Sequence, residues 1–490
     1  MGTWNSNTMK AASALVLLLQ GTLAHAQGEA HRIIQERMAA REVPGMAFLI
    51  AREGVILDQG YYGKSNVEVD APVSERSVWA IASMSKTYTA AAVLLMAEQG
   101  QLSLDDPIRK YLPEAPETWQ PITIRHLLTH SSGMVEDWAL YDWKASNELF
   151  LRTQTEADYL KVHFQEDLKF PPGTDVAYAS GHFLLGVVIE RITGEPYASY
   201  MEQHVFRPLG LSETYVDHPY QLIPNRVSGY FRHDPEVIGG PVSGIGNGLL
   251  IAPVAYGRGD AGIRTTPQDL MRFYEALFTD KLLNERSRRI MFSPAALDNG
   301  DPISTGPGWM NWPLAGVAIS EHSGGFRTGF SSQALVVPED RFMVIVLSNL
   351  KGLDDGQSGA DFSLAKELAA LYYPEMEPLS RRAPAEDPSP ELSAAHLEFI
   401  RQLASPEARA DVHEHFPYTY YSTRLKEAMA QVVSLTYLGE RDVQGEEMEF
   451  FDVPIHTLRY YRLGGERPWY TTVYLDEAER VVFVDHPERE

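Results

Sequence analysis

The chain has 490 residues, 44% apolar, 22% charged and 10% aromatic, with 37 glycines and 31 prolines. That usage belongs to a folded protein long enough for two or three domains. A net charge of −24 argues against general affinity for nucleic acid or anionic lipid, since both need clustered positive charge. The absence of cysteine excludes disulfides, thiolate metal sites, iron–sulfur clusters and a cysteine nucleophile.

In chain order, Lys10 precedes a short apolar stretch, 11–19, and Ala24-His25-Ala26 supplies a small-x-small cleavage pattern. This predicts a signal peptide over 1–26. The mature protein is then expected to be exported, periplasmic or secreted, with no stable membrane anchor after cleavage. Residues 27–373 form the body. Within it, 46–51, 332–337 and 342–348 read as strands and 87–99, 182–192 and 267–277 as helices. Pro374, Pro378, Pro384, Pro388 and Pro390 mark 374–391 as a linker. In the tail, 392–490, a helix over 392–403 is followed by strands over 430–438, 457–463, 469–475 and 481–484. That is a small α+β domain of unknown role.

The sharpest chemical candidate is Ser83-Met84-Ser85-Lys86. A serine hydroxyl is a weak nucleophile until a neighbouring base takes its proton. Serine and lysine three apart at a helix start share one face, beside free N–H groups and the positive end of the helix dipole. The same spacing recurs at Ser348–Lys351, which ends a strand, and at Ser363–Lys366, which opens an amphipathic helix. Both of those read as a surface serine and a surface lysine.

Context sets Ser83 apart. It precedes the apolar helix Thr87–Met96. There follow Ile124-Arg125-His126-Leu127-Leu128-Thr129-His130-Ser131-Ser132-Gly133, Phe170-Pro171-Pro172-Gly173-Thr174, Tyr178-Ala179-Ser180, Gly262-Ile263-Arg264-Thr265-Thr266-Pro267 and His322-Ser323-Gly324-Gly325. In that order these segments resemble serine hydrolases of the class C β-lactamase type, which include penicillin-binding proteins, D-aminopeptidases and many esterases. The resemblance runs from about residue 30 to 373. It implies an α/β (α+β) β-lactamase-like fold: an antiparallel sheet flanked by helices, plus an all-helical subdomain.

The resemblance also implies roles. Ser83 is the acylated nucleophile, Lys86 its base or proton relay, and Tyr178 the second-motif tyrosine sharing the acid–base work. His322 and Gly324 occupy the third motif on an edge strand, and the backbone N–H groups of Ser83 and Gly325 form the oxyanion hole. Tyr197 and Tyr420 share the Tyr178 pattern, but only Tyr178 follows the Pro-Gly-Thr loop.

Departures from the family pattern bear on substrate. The family's β-lactamases show Y-x-N and K-T-G, where this chain has Tyr178-Ala179-Ser180 and His322-Ser323-Gly324. Histidine is mostly neutral at pH 7, so a permanent cation is lost. The Ser180 hydroxyl replaces an amide donor only in part. Efficient β-lactam turnover is therefore not expected, and the H-x-G pattern looks more like esterases and D-aminopeptidases.

Ser180, Gly324, His182 and Arg327 are further substrate-binding candidates, His182 with a structural alternative and Arg327 with a solvated one. Trp138, Tyr141 and Trp143 line an acyl pocket or pack a loop. His413-Glu414-His415 reads as acidic surface, and His126 with His130 lacks an H-E-x-x-H context, so no metal and no organic cofactor is expected. The expected activity is carboxylesterase-like hydrolysis of a small-molecule or short-peptide substrate. The alternatives are a D-aminopeptidase, a DD-peptidase-like enzyme or a transacylase, and, outside enzymes, a non-hydrolytic binding or sensor module.

Overall fold

The computed structural model describes residues 26–135, 155–179, 181–218, 221–233, 244–248, 259–326, 329–352, 362–403, 429–446, 453–464, 469–485 and 488–489. The cleavage pattern's first residues, Ser180, Arg327, Tyr420 and the Trp138–Trp143 and His413–His415 groups lie outside these.

Strand β1 (Gly45–Arg52) is apolar from Gly45 to Ala51, so neither of its faces tolerates water. Accordingly Ala47, Leu49 and Ala51 enter one core, and Met46, Phe48 and Ile50 enter another. The remaining strands of the sheet are β2 (Val55–Asn66), β3 (Ala71–Pro72), β4 (Thr305–Gly306), β5 (Trp309–Leu314), β6 (Val317–Phe326), β7 (Phe330–Val337) and β8 (Phe342–Ser348). They form one eight-stranded antiparallel sheet in the order β4-β5-β6-β7-β8-β1-β2-β3.

The helices that position the site are α1 (26–41), α2 (Ser85–Glu98), α3 (Ile124–Leu128), α4 (Gly181–Thr193), α5 (Pro267–Leu277) and α6 (Phe362–Ala369). α1 and α6 cover one face of the sheet, through Ala30, Ile33, Ile34, Leu364 and Leu368. α2 and α5 cover the other, where the Tyr88 and Phe273 rings stack at 3.6 Å. Most of α2 is buried, and its sequence is accordingly apolar almost all round rather than amphipathic. α3, α4 and two shorter helices, Glu156–Phe164 and Tyr197–Met201, complete the helical layer beyond it.

β6 departs from the expected edge position. Its first half, Val317–Glu321, pairs with β5, while β7 pairs with it as far as Phe326. The strand is interior at one end, and no described strand pairs with the β5 side of His322–Phe326 at the other.

The tail builds its own core. Helix α7 (Pro390–Arg401) packs on an antiparallel meander, residues Ser434–Glu446, Ile455–Gly464, Trp469–Leu475 and Val481–Val484 in that order. The proline-rich segment is not bare chain: Met376 packs in the body core and Leu379 in the tail core. Trp312 on β5 packs against both cores. Nearby, buried Tyr474 Oη accepts the Gly316 N–H at 3.2 Å and lies 3.1 Å from Asp485 Oδ2. The tail therefore grips the β5–β6 turn, where Ala315 (φ +48°) and Gly316 (φ +85°) reverse the chain.

This interface predicts that Trp312→Ala loosens body from tail. Loss of a large aromatic from a packed contact costs about 3 kcal/mol. Calorimetry is expected to resolve two separated unfolding transitions where the parent shows closely coupled ones. A single unshifted transition would refute the coupling.

Candidate active site

Ser83 sits in a single 3-10 turn, Ala82–Met84, that runs straight into α2. The turn is clamped on both sides. Ile81 N–H donates to the Ile263 carbonyl at 3.1 Å, Met84 N–H to the Ile81 carbonyl at 3.2 Å, and Ile263 N–H to Ser85 Oγ at 2.9 Å. These bonds hold Ala82 at φ +47°, a left-handed conformation that is strained for a residue with a Cβ. Ser83 itself remains half-buried.

Lys86, one turn on, is 3% exposed. Its ammonium donates to Ser83 Oγ at 3.3 Å and to the Asp260 carbonyl at 2.9 Å. It also stands 5.0 Å from the centroid of the Tyr178 ring, within cation–π reach. Ser83, Lys86 and Tyr178 thus lie together in the structure. Tyr197 is not a rival: it is buried in the core, with its hydroxyl on Thr89 Oγ1 at 2.7 Å.

Behind Tyr178 stands a layer of imidazoles. His130 stacks on the tyrosine at 4.4 Å between centroids, and His182 lies 5.2 Å beyond His130. His322 approaches the tyrosine from β6 at 6.4 Å. Burial pushes His322 down to about 3, helped by the nearby Lys86 charge. Burial, then Lys86 and His322, hold His130 well below its usual value. His182 is lowered likewise by burial and then by His130. Hydrogen bonds fix two tautomers. His322 Nδ1 faces the Ser323 carbonyl at 2.7 Å and must carry a proton, leaving Nε2 as an acceptor. His130 Nδ1 accepts the Ala179 N–H, so its proton is on Nε2.

The third motif meets the nucleophile at Gly324. A Cβ there would run into the Ile81 carbonyl and Ser332 Oγ and would sit 3.0 Å from the Ser83 amide nitrogen. Ser332 Oγ bonds the same Ile81 carbonyl at 2.7 Å, so β6 and β7 are both tied to the turn that carries Ser83. The backbone at Gly324 consequently lies close to the Ser83 amide nitrogen.

Other sequence candidates fall elsewhere. His182 is fully buried, one ring behind His130, and both its ring nitrogens lack a partner among the described residues. His126 points away from His130, toward Asp298 at 3.3 Å, and no metal-holding cluster is found among the described residues. Of the two extra serine–lysine pairs, Ser348 is buried rather than on the surface, and Lys366 lies 5.4 Å over the Trp312 ring. A cavity of about 360 Å³ between Leu104, Arg125, Ile290 and Pro307 is lined by none of the site residues. Two features escaped sequence reading. The Asp260 carbonyl left no signal because it acts through its backbone. His130 was legible only as a possible partner of His126, and its stacking on Tyr178 was not.

A serine and a buried lysine sharing a hydrogen bond beneath a glycine-bearing strand, with a tyrosine stacked beside them, define a serine hydrolase of the β-lactamase type. The sequence profile of the Beta-lactamase family matches residues 30–369, and the chain belongs to that family. Penicillin-binding protein 4* of Bacillus subtilis is 31% identical over 319 residues, which cover 61% of this chain and 67% of that protein. Esterase EstB of Burkholderia gladioli is 30% identical over 306 residues, covering 56% of this chain and 76% of that protein. The fold is shared with the octameric penicillin-binding protein homologue from Pyrococcus abyssi (TM-score 0.57, 22% identity), over 93% of this chain and 94% of that one. It is shared too with the D-amino acid amidase of Ochrobactrum anthropi SV3 (TM-score 0.60, 21% identity), over 72% and 99%.

Two outcomes are expected. Gly324→Ala forces β6 away from the Ile81 carbonyl; if this strand carries the oxyanion donor that the family resemblance implies, a shift of about 1 Å should lower kcat roughly 100-fold, read by steady-state kinetics. Full activity in that variant would refute the close approach. The second concerns acid. Between pH 6.5 and about pH 5 the unfolded histidines bind protons that the buried ones refuse, so stability falls with pH by up to about 1.4 kcal/mol per unit for each. His182→Leu should flatten the fall of the urea midpoint over that range. Equal slopes in parent and variant would mean that His182 takes up a proton in the folded state.

Proposed function

We propose that this serine hydrolase cleaves esters, with amides as poorer substrates, through an acyl-enzyme on Ser83. The observation that carries the reading is the 3.3 Å contact between Lys86 Nζ and Ser83 Oγ, with Tyr178 against the same ammonium. As an ammonium, Lys86 can only donate, so the serine proton must pass to the Lys86–Tyr178 couple, one of whose members is deprotonated when attack begins. Ser83 Oγ then bonds the carbonyl carbon, and the carbonyl oxygen gains negative charge opposite the N–H groups of Ser83 and Gly325. The couple returns the proton to the leaving alkoxide or amine. Water enters by the reverse path, giving up a proton to the couple, and Ser83 leaves with its own proton restored.

An ester is favoured because the third motif offers a neutral imidazole rather than a lysine. The edge of β6 beyond Glu321, with which no described strand pairs, supports a second reading: an extended acyl chain can pair with it, as a D-aminopeptidase, a DD-peptidase-like enzyme or a transacylase would require. We also propose that the protein is exported. Lys10, the short apolar stretch 11–19 and Ala24-His25-Ala26 support this.

The test is a panel of a short-chain nitrophenyl ester, a D-alanine anilide and a chromogenic cephalosporin, with Ser83→Ala alongside. The ester should turn over fastest and the cephalosporin slowest, and Ser83→Ala should lose about 10⁴-fold or more. Undiminished activity in Ser83→Ala would dismiss the nucleophile. Fast cephalosporin turnover would dismiss the role given to His322.

A further inference from the structure

The cavity of about 360 Å³ beside α3 takes no part in the machinery described above, and it is large enough for a small ligand. Leu128 of α3, Ile290 of the helix Glu285–Phe292 and Ala295 just beyond that helix make its walls apolar. The walls are held from outside. Asn284 Oδ1 accepts the Ser287 N–H at 3.0 Å, and the Asn284 N–H donates to Glu98 Oε1, at the end of α2, at 2.9 Å. At the other end of the helix, Asn311 Nδ2 donates to the Met291 and Ser293 carbonyls at 3.1 and 2.9 Å. Those bonds satisfy carbonyls that would otherwise repel an anion from the helix end.

Two guanidinium groups, Arg125 and Arg289, line the same cavity. Arg125 Nε and Nη2 share a single oxygen, Asp105 Oδ1, at 2.9 and 2.7 Å, and Arg289 Nη2 lies 3.4 Å from Glu285 Oε1. All four side chains are well exposed, so both ion pairs are weak and yield to a better partner. The helix bears Arg286, Arg288 and Arg289 against one acid, Glu285, in a chain of net charge −24.

The cavity is also joined to the active site. A short hairpin, Ala295–Ala296 with Pro302–Ile303, walls it with its first strand. Asp298, in the connection, rests on the loop that leads to Tyr178. Its N–H donates to the Gly173 carbonyl at 3.0 Å, and its carboxylate occupies the place of a Cβ on Gly173. His126 Nε2 holds the same carboxylate at 3.3 Å. The Gly173 and Ala177 N–H groups in turn donate to the Ser131 and His130 carbonyls, at 2.8 and 2.9 Å. A push on the hairpin is therefore passed to residues 171–177 and on to Tyr178.

We propose that this cavity is a second binding site, for a small carboxylate with an apolar body, and that its occupant slows turnover by pressing the hairpin against the Tyr178 loop. The apolar body lies between Leu128, Ile290 and Ala295, and the two carboxylate oxygens take the guanidinium groups of Arg125 and Arg289. The binding is independent of the acyl-serine reading, whereas the effect on turnover rests on it.

The test titrates 4-phenylbutyrate, its neutral amide and the corresponding amine into the full chain by calorimetry. The acid should bind at one site, about tenfold more tightly than the amide, and the amine should not bind. Ile290→Trp should fill the cavity and remove binding of acid and amide alike. Arg289→Glu, at an exposed position, should abolish the preference for the acid and keeps the test decisive if Ile290→Trp fails to fold. With a nitrophenyl ester as substrate, saturating 4-phenylbutyrate should lower kcat about fivefold and leave KM unchanged. Asp298→Ala should retain the binding and lose that effect. Absence of saturable binding, equal affinity for acid and amide, or affinity unmoved by both variants would each overturn the site. Competition with the ester would put the ligand in the acyl site and overturn it too. Binding with unchanged kcat would overturn the link to Tyr178. Calorimetry needs no turnover, so an inactive parent that binds the acid would keep the site while the acyl-serine reading and the link both fall.

Discussion

Everything in the site depends on how closely β6 lies against the turn that carries Ser83. Gly324 has no side chain because the Ile81 carbonyl and Ser332 Oγ occupy the place of one. That contact joins two parts of the fold made separately, the sheet and the start of α2. It brings a strand backbone and the first free N–H groups of a helix to the same small volume. On the reading proposed above, neither element alone would supply two converging donors, and their contact would. The left-handed Ala82 fits the same logic, since a strained residue persists only where its surroundings over-determine it.

Charge in the site is kept to a minimum. Lys86 is the one cation among the described groups that touch Ser83, and His130, His182 and His322 stay neutral around Tyr178. A second cation here would meet Lys86 at close range in a poorly solvated space, where repulsion is strong. The lysine found in the third motif of β-lactamases would add such a charge on the face that meets Ser83. In this chain a different cation, Lys351, lies beside Gly325, on the opposite face of the strand from Gly324.

Much of this was legible in the residues. The all-apolar run in β1 required cover on both faces, and α1 and α6 on one side with α2 and α5 on the other provide it. The Thr-Thr-Pro-Gln-Asp run marked the start of α5, where Thr266 Oγ accepts the Asp269 N–H. Ser83 and Lys86 were readable because a helix fixes what three residues of spacing mean. The illegible parts are those in which partners come from distant strands. That β6 is interior as far as Glu321 and has no described strand on that side beyond it depends on where β5 stops, which no local pattern encodes. Lys351 shows the same limit: its motif looked like exposed surface because the register that carries it over Gly325 is a property of three strands together. The tail's attachment through Trp312 and Tyr474 was equally out of reach, since single aromatics in a strand carry no address.

The attachment of the tail gives β6 an uneven mechanical character. At 3.3 Å per residue, the gripped turn at Gly316 and the third motif at His322 are about 20 Å apart along one strand. One end is clamped by a separate domain, and the other is bound on a single side with nothing described on its second edge. The strand therefore resembles a cantilever, whose free end is only as steady as its fixed end is stiff. On this view the placement of Gly324 against the Ser83 turn rests on the grip of the tail. Tails of quite different shape could serve that purpose equally well, so long as each holds the same turn.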